Sequence, residues 1–207
     1  MSLFITFEGG EGSGKTLQAR ALYRRISKLE VPVRLIHEPG STALGLKLAR
    51  LLKWTERTRI SPLAELLLFN ASRSQLVAEI ILPDLKAGKV VICDRYTDST
   101  VSYQSYGRGL DMDLVRSINQ AATGGLNPDL TVLLDVPVEE GFARKRDKKP
   151  DRFEQEDMAF HHRVREGYLK LAAAEPPRWL VVDARQSKAR IKEIIWLRVS
   201  QLLPNGE

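Results

Sequence analysis

Residues 7 to 16 read FEGGEGSGKT and follow directly on the short apolar run LFIT. Few stretches restrict a fold more. The pattern Gly9-x-x-x-x-Gly14-Lys15-Thr16 needs a strand before it and a helix after it. Between them it needs a loop curled tightly enough for consecutive backbone N–H groups to converge on phosphate oxygens. Gly9, Gly10, Gly12 and Gly14 permit the curl, and Glu11 and Ser13 complete the loop. The positive end of the following helix adds to the attraction. Lys15 is then placed to reach the β- and γ-phosphates of a nucleoside triphosphate, and the Thr16 hydroxyl to ligate Mg²⁺.

The rest of the chain supplies the alternation that such a loop requires. LFITFE (3 to 8), VRLIH (33 to 37), VVICD (90 to 94), LTVLLD (130 to 135) and WLVVD (179 to 183) are near-continuous apolar runs, the signature of strands buried on both faces of a parallel sheet. Helical patterns separate them, over 15 to 29, 43 to 53, 62 to 88, 111 to 122, 138 to 147, 155 to 174 and 187 to 203. The fold class expected is α/β: a doubly wound P-loop domain with a five-stranded parallel sheet flanked by helices. Pro83 should kink or divide the longest helix. With 207 residues, 43% of them hydrophobic, and neither repeat nor low-complexity linker, residues 1–207 read as a single domain.

Composition narrows the partners. No apolar run approaches the ~20 residues of a membrane span, and MSLFITFEGG lacks the features of a signal peptide. A lone cysteine, Cys93, cannot form an internal disulfide, so the chain reads as cytoplasmic, with no membrane partner. The net charge of +6 invites a nucleic-acid reading. Its richest cluster, ARKRDKKPDR (143 to 152), has no interleaved aromatic residues for bases to stack on. An anionic small substrate therefore fits better than nucleic acid.

A P-loop alone leaves a GTPase switch, an ATPase motor and a small-molecule kinase open. There is no N-K-x-D guanine-reading segment and no sign of a motor's second domain, but arginines stand where a second anionic substrate would need them. Arg95 follows VVICD, so Asp94 and Arg95 should face the same crevice as the P-loop. Asp94 could organise Mg²⁺ and its water, and Arg95 could clamp a phosphate. Phe69 and Arg73, four apart in LLLFNASR, share a helical face on which a ring and a guanidinium could hold a planar base. DRYTDSTVSYQSYGRG (94 to 109) is too polar for a core helix and well equipped to read a nucleoside. A solvated loop would not explain its Tyr96, Tyr103 and Tyr106.

Taken in order, FEGGEGSGKT, HEPGST (37 to 42), LLLFNASR (66 to 73), DRYTDSTVSYQ (94 to 104), LLDVP (133 to 137) and DRFE (151 to 154) resemble the thymidylate kinases over nearly the whole chain. Two positions depart from the family pattern: His37, where R-E-P-G-G-T is usual, and Ser102, where Ala is frequent. The resemblance implies phosphoryl transfer from MgATP to dTMP, in the cytoplasm, by a homodimer. It implies that Phe69 stacks on thymine, Arg73 bonds the base edge and Arg95 binds the 5′-phosphate. Ser99, Tyr103 and Gln104 would line the nucleoside pocket, with Tyr103 crowding the 2′ position, and Glu11 would hold the 3′-hydroxyl.

Some thymidylate kinases carry an arginine at the P-loop position that is Gly12 here. Phosphoryl transfer needs positive charge on the equatorial oxygens. The resemblance therefore implies that the basic segment 144 to 152 acts as a short mobile lid. Arg144 would serve ATP, Arg146 and Lys148 with Lys145 and Lys149 the transition state, and Arg152 the catalytic hinge. If so, Gly12→Arg should restore part of what loss of the lid cations removes, provided position 12 does not require φ > 0.

Overall fold

The computed structural model describes residues 2–54, 59–145 and 150–203. Five strands, β1 (Leu3–Glu8), β2 (Val33–His37), β3 (Val90–Asp94), β4 (Leu130–Asp135) and β5 (Trp179–Asp183), form one sheet. Its order is β2-β3-β1-β4-β5, and every pairing is parallel. All five coincide with the apolar runs. β1 and β3 are buried at every residue, as expected when helices cover both faces and leave no polar phase to the strand.

Alternation along β1 assigns the faces. Leu3, Ile5 and Phe7 point to one side, where they pack with Ala19, Leu22 and Ile26 of α1 (Lys15–Ser27) and Ile191, Ile195 and Val199 of α9 (Lys188–Ser200). Phe4 points to the other side, against Leu76, Ile81 and Tyr96. Glu8 is in phase with Phe4 and Thr6, so the strand's pleat directs a carboxylate into the interior.

The remaining helices are α2 (Ala43–Trp54), α3 (Pro62–Leu76), α4 (Leu82–Lys86), α5 (Thr97–Thr100), α6 (Met112–Thr123), α7 (Val138–Ala143) and α8 (Met158–Ala174). Their starts are written in the sequence. Ser61 caps α3 with Pro62 in its first turn, Asp111 caps α6, and Asp157 caps α8 by accepting from the Phe160 amide at 2.6 Å. α7 ends at Ala143, four residues short of the expected limit, and α8 begins at Met158 because Asp157 caps it there. Among the described residues no helix is long and apolar enough to cross a membrane.

Pro83 does divide the long helix. It has no N–H to donate and its ring crowds the preceding turn, and the chain ahead of it, Val77–Ile81, widens into a π-helix before α4 resumes. The polar stretch after β3 corrects the expectation that it is too polar for a core helix. It forms α5 and then a π-helix, Val101–Gly107, largely buried against α8. Close approach explains how polar residues are accommodated there. A Cβ at Gly107 would lie 2.6 Å from the Phe160 ring, and one at Gly167 would lie 2.6 Å from the Tyr106 ring. Tyr106 serves this packing, while Tyr96 packs on the sheet, meeting Phe4 edge-on at 5.0 Å.

Ser102 is fully buried and its hydroxyl has no hydrogen-bond partner among the described residues. Ser102→Ala should therefore stabilise the fold by about 1 kcal/mol, the relieved cost of an unpaired buried hydroxyl. Urea denaturation of the two proteins measures the difference.

Candidate active site

The loop after β1 has its sharpest constraints at two glycines. Gly9 (φ 138°) runs so close to β4 that a Cβ would lie 2.5 Å from the Leu134 carbonyl oxygen. Gly12 (φ 66°) lies against α7, where a Cβ would come within 1.9 Å of the Gly141 carbonyl oxygen. An arginine cannot occupy position 12 in this backbone, so the expected rescue by Gly12→Arg is corrected: both the φ angle and the contact forbid it.

Lys15 folds over the loop and donates from Nζ to the carbonyls of Gly9 at 2.8 Å and Gly10 at 2.7 Å. Burial, and then the Arg95 charge, push its pKa down to about 8, against the pull of Glu11, Asp94 and Glu8. Thr16 Oγ1 donates to Asp94 Oδ2, which joins the first turn of α1 to the end of β3.

Arg95 has a left-handed backbone, φ 71°, that turns its side chain back over the P-loop. Nη2 donates to Glu11 Oε1 at 2.8 Å and to the Tyr103 hydroxyl at 3.2 Å. Nη1 donates to the Gly9 carbonyl at 3.2 Å, to Tyr168 at 3.2 Å and to Ser99 at 3.3 Å. Glu11 also accepts from Lys145 Nζ at 2.8 Å and from the Tyr103 hydroxyl at 3.1 Å. Burial alone would raise the Glu11 carboxyl, but Arg95, Lys15 and Lys145 overcome it and hold the group well below the ordinary carboxylate range.

Beneath this cluster Glu8 is fully buried, accepting from the Tyr96 amide at 2.7 Å, Ser99 at 2.6 Å and Tyr168 at 3.0 Å. Burial and then the Asp98 carboxylate raise its pKa from 4.5 to about 7. The sign for folding follows. A raised pKa gives a stability contribution that is complete below about 4.5 and lost as the pH rises through about 7.

Farther along the cleft, Phe69 packs on Phe153 at a centroid distance of 5.6 Å. Arg73, 1% exposed, has every N–H engaged. Nε and Nη2 meet Glu38 Oε2, Nη1 meets Thr100 at 2.7 Å and Asn119 at 2.9 Å, and Nη2 also meets the Tyr96 carbonyl at 3.1 Å. Gln104 donates to Glu65 at 2.8 Å.

These groups line one cleft of about 950 Å³ beyond the carboxyl ends of the strands. Of the residues expected there, Glu11 to Thr16, Phe69, Arg73, Asp94, Arg95, Ser99, Tyr103, Gln104 and Arg144 line it. Gly9 and Gly10 hold Lys15 from behind, and Arg144 Nη1 donates to the Gly12 carbonyl at 3.4 Å. Arg152 is elsewhere: it donates to buried Glu65 at 2.6 Å and to the Leu52 carbonyl at 2.8 Å, because an acid with no exposed surface attracts the nearest guanidinium. That placement suits a hinge and not contact with reacting atoms. Arg146, Lys148 and Lys149 lie outside the described residues.

Sequence reasoning missed Glu8, Glu38, Glu65 and Tyr168 as members of the site, and Lys145, expected among the cations of the basic segment, sits on Glu11. An acid ending a wholly apolar strand was the one available signal for Glu8; Tyr168 had none. His37, exposed at the cleft's rim, meets the Ser41 hydroxyl at 3.1 Å, and burial lowers its pKa.

The family model described as thymidylate kinase matches residues 7–195. The chain is 56% identical over 203 residues to a thymidylate kinase of Dehalococcoides mccartyi, covering 98% of each chain. It is 47% identical over 208 residues to one of Roseiflexus sp., covering 94% of this chain and 92% of the other. The crystal structure of thymidylate kinase from Ehrlichia chaffeensis superposes with a TM-score of 0.78 at 34% identity, covering 97% of this chain and 99% of that one.

Arg73→Ala should cost the fold about 3 to 5 kcal/mol, because it leaves Glu38 buried and unpaired. Chemical denaturation of the variant without nucleotide measures this separately from any effect on ligand.

Proposed function

The chain belongs to the thymidylate kinase family, and we propose that its cleft performs the phosphorylation of dTMP to dTDP with ATP in the following way. The triphosphate of ATP lies in the P-loop, the 5′-phosphate of dTMP lies under Arg95, and the γ-phosphoryl group passes between them. The observation that carries this reading is that Arg95 is hydrogen-bonded to the P-loop itself, through the Gly9 carbonyl and Glu11. One fixed unit therefore holds both phosphate sites, which is what in-line transfer requires.

Lys15 and the loop amides neutralise charge that spreads over the γ-phosphoryl oxygens. The Thr16 hydroxyl and Asp94 carboxylate make a hard-oxygen pair suited to Mg²⁺. Among the described residues no cluster of three or more His, Cys, Asp or Glu exists to cage a metal, in keeping with an ion held by one or two protein oxygens and the substrate's phosphates. Bound there, Mg²⁺ would offset phosphate charge.

Phe69 is the stacking face for thymine. Arg73 sets the base wall and reaches the base edge by sharing an Nη1 donor. Ser99, Tyr103 and Gln104 line the sugar, with Glu11 accepting from the 3′-hydroxyl. Because position 12 has no room for an arginine, the missing positive charge is assigned to the basic segment 144 to 152 acting as a lid. Lys145, already on Glu11, is its innermost described cation, and Arg152 is its anchor.

The same reading gives a cytoplasmic enzyme that works as a homodimer. Leu44 of α2, Leu63 and Leu67 of α3 and Leu114 of α6 are exposed on helices that pack side by side, a face suited to a second copy. Sedimentation should give twice the chain mass, and Leu63→Arg with Leu67→Arg should halve it.

Assay with ATP and a panel of monophosphates tests the activity, and dTMP should be the preferred acceptor. Lys15→Ala should fold normally and lose on the order of 10²-fold in kcat. Near-normal turnover would remove Lys15 from the mechanism.

A further inference from the structure

Phe69 is half-buried on α3 and lines the cleft, so a ligand can meet one part of its ring while the rest needs support. Among the described residues its one ring partner is Phe153, at a centroid distance of 5.6 Å and an interplanar angle of 52°. A phenylalanine ring turns about two side-chain torsions, and a half-buried one has more than one well open to it. The neighbour therefore decides the tilt that the ring presents.

Phe153 is itself fixed from several sides. Asp151 Oδ1 accepts the Phe153 amide at 3.0 Å and the Glu154 amide at 3.1 Å, a tight turn that leaves the Phe153 ring 6% exposed. Tyr103 meets that ring edge-on at 6.1 Å, and the guanidinium groups of Arg152 and Arg108 lie over it at 4.5 and 5.9 Å. Both guanidinium groups also donate to Glu65, at 2.6 and 3.1 Å. Glu65 is fully buried on α3, one turn before Phe69, and residues four apart share a helix face. One helix thus carries Phe69 directly and holds Phe153 through an acid and two arginines. The circuit closes where the two rings meet.

We propose that Phe153 is a positioning residue for the base of the acceptor nucleotide: it holds the Phe69 ring at the tilt on which the base stacks. The inference deepens the assignment of Phe69 as the stacking face for thymine and rests on it. It also gives DRFE a physical reading beyond charge. Asp151 makes the turn, Arg152 ties the turn to α3, and Phe153 supports the ring across the cleft wall.

The experiment is equilibrium titration of dTMP, and separately of ADP, into the parent, Phe153→Leu, Phe69→Leu and the double variant, each shown to be folded by its thermal transition. Phe69→Leu should weaken dTMP about tenfold, the size of one lost base stack. Phe153→Leu should weaken dTMP about fivefold, within the range of one aromatic pair, and leave ADP unchanged. In the Phe69→Leu background, Phe153→Leu should add nothing further, because its effect runs through the ring already removed. A ring that served only the core would add its effect whatever stands at residue 69, or would weaken both nucleotides. Either of those outcomes overturns the inference, as does parental dTMP affinity in Phe153→Leu. Phe153→Met, close in volume and without a ring, is read in the same way if Phe153→Leu does not fold. Unaltered dTMP affinity in Phe69→Leu overturns the underlying reading of Phe69 instead.

Discussion

The contact between Arg95 and Glu11 is what turns two separate strand ends into one site. A parallel sheet delivers its loops to a common edge, and the Arg95 amide, donating to the Phe7 carbonyl at 2.9 Å, carries the pairing of β1 and β3 one residue past β3; side chains must extend that link into the P-loop. The 2.8 Å ion pair does so, with the Gly9 carbonyl as a third point. Its electrostatics are self-consistent. A carboxylate inside a phosphate-binding loop is unfavourable in isolation, and here three cations, Arg95, Lys15 and Lys145, surround it. Those cations would otherwise repel one another at close range, and Arg95 does depress the Lys15 pKa. Removing either partner leaves an unbalanced, partly buried charge, so the pair contributes to the fold as well as to the cleft.

A second acid organises the other end of the cleft. Glu65, fully buried on α3, accepts from Gln104, Arg108 and Arg152. It joins the wall of the cleft to the chain that leaves the basic segment. Arg108 continues the network to Glu156 at 2.6 Å. The two ends of that segment are thus fixed to different parts of the site: Arg144 and Lys145 to the P-loop, Arg152 to α3. Glu8 is another fully buried acid, and because burial raises its pKa to about 7, ionising it above neutrality costs folding energy.

The sheet was readable from sequence to the residue because strands covered on both faces leave a continuous apolar run with polar punctuation at each end. The start of α3 was expected at residue 62 and lies there, behind Ser61, while α8 starts three residues later than expected, at Met158, because Asp157 caps it. Helix ends were less legible, since α7 stops without a glycine or proline to mark it. The π-helix at Val101–Gly107 was not readable. Polar residues there are buried because α8 presents Gly167 and covers them, and that depends on a partner some sixty residues away. The P-loop, Asp94 and Arg95 were legible because glycine spacing and strand ends fix location. Arg152 and Arg73 show the limit: residue type reveals a charge but not which buried acid, Glu65 or Glu38, will claim it.

The backbone contact between Gly12 and Gly141 limits how this chain can vary. A side chain at 12 meets the Gly141 carbonyl, and a side chain at 141 meets the Glu11 carbonyl at 2.3 Å. Each obstruction is main chain, so neither substitution relieves the other, and the pair cannot be exchanged in two tolerated steps. Moving a catalytic arginine into the P-loop would first require α7 to withdraw, and α7 carries the start of the basic segment with it. A side chain at position 12 and the present seat of α7 are therefore mutually exclusive in this architecture.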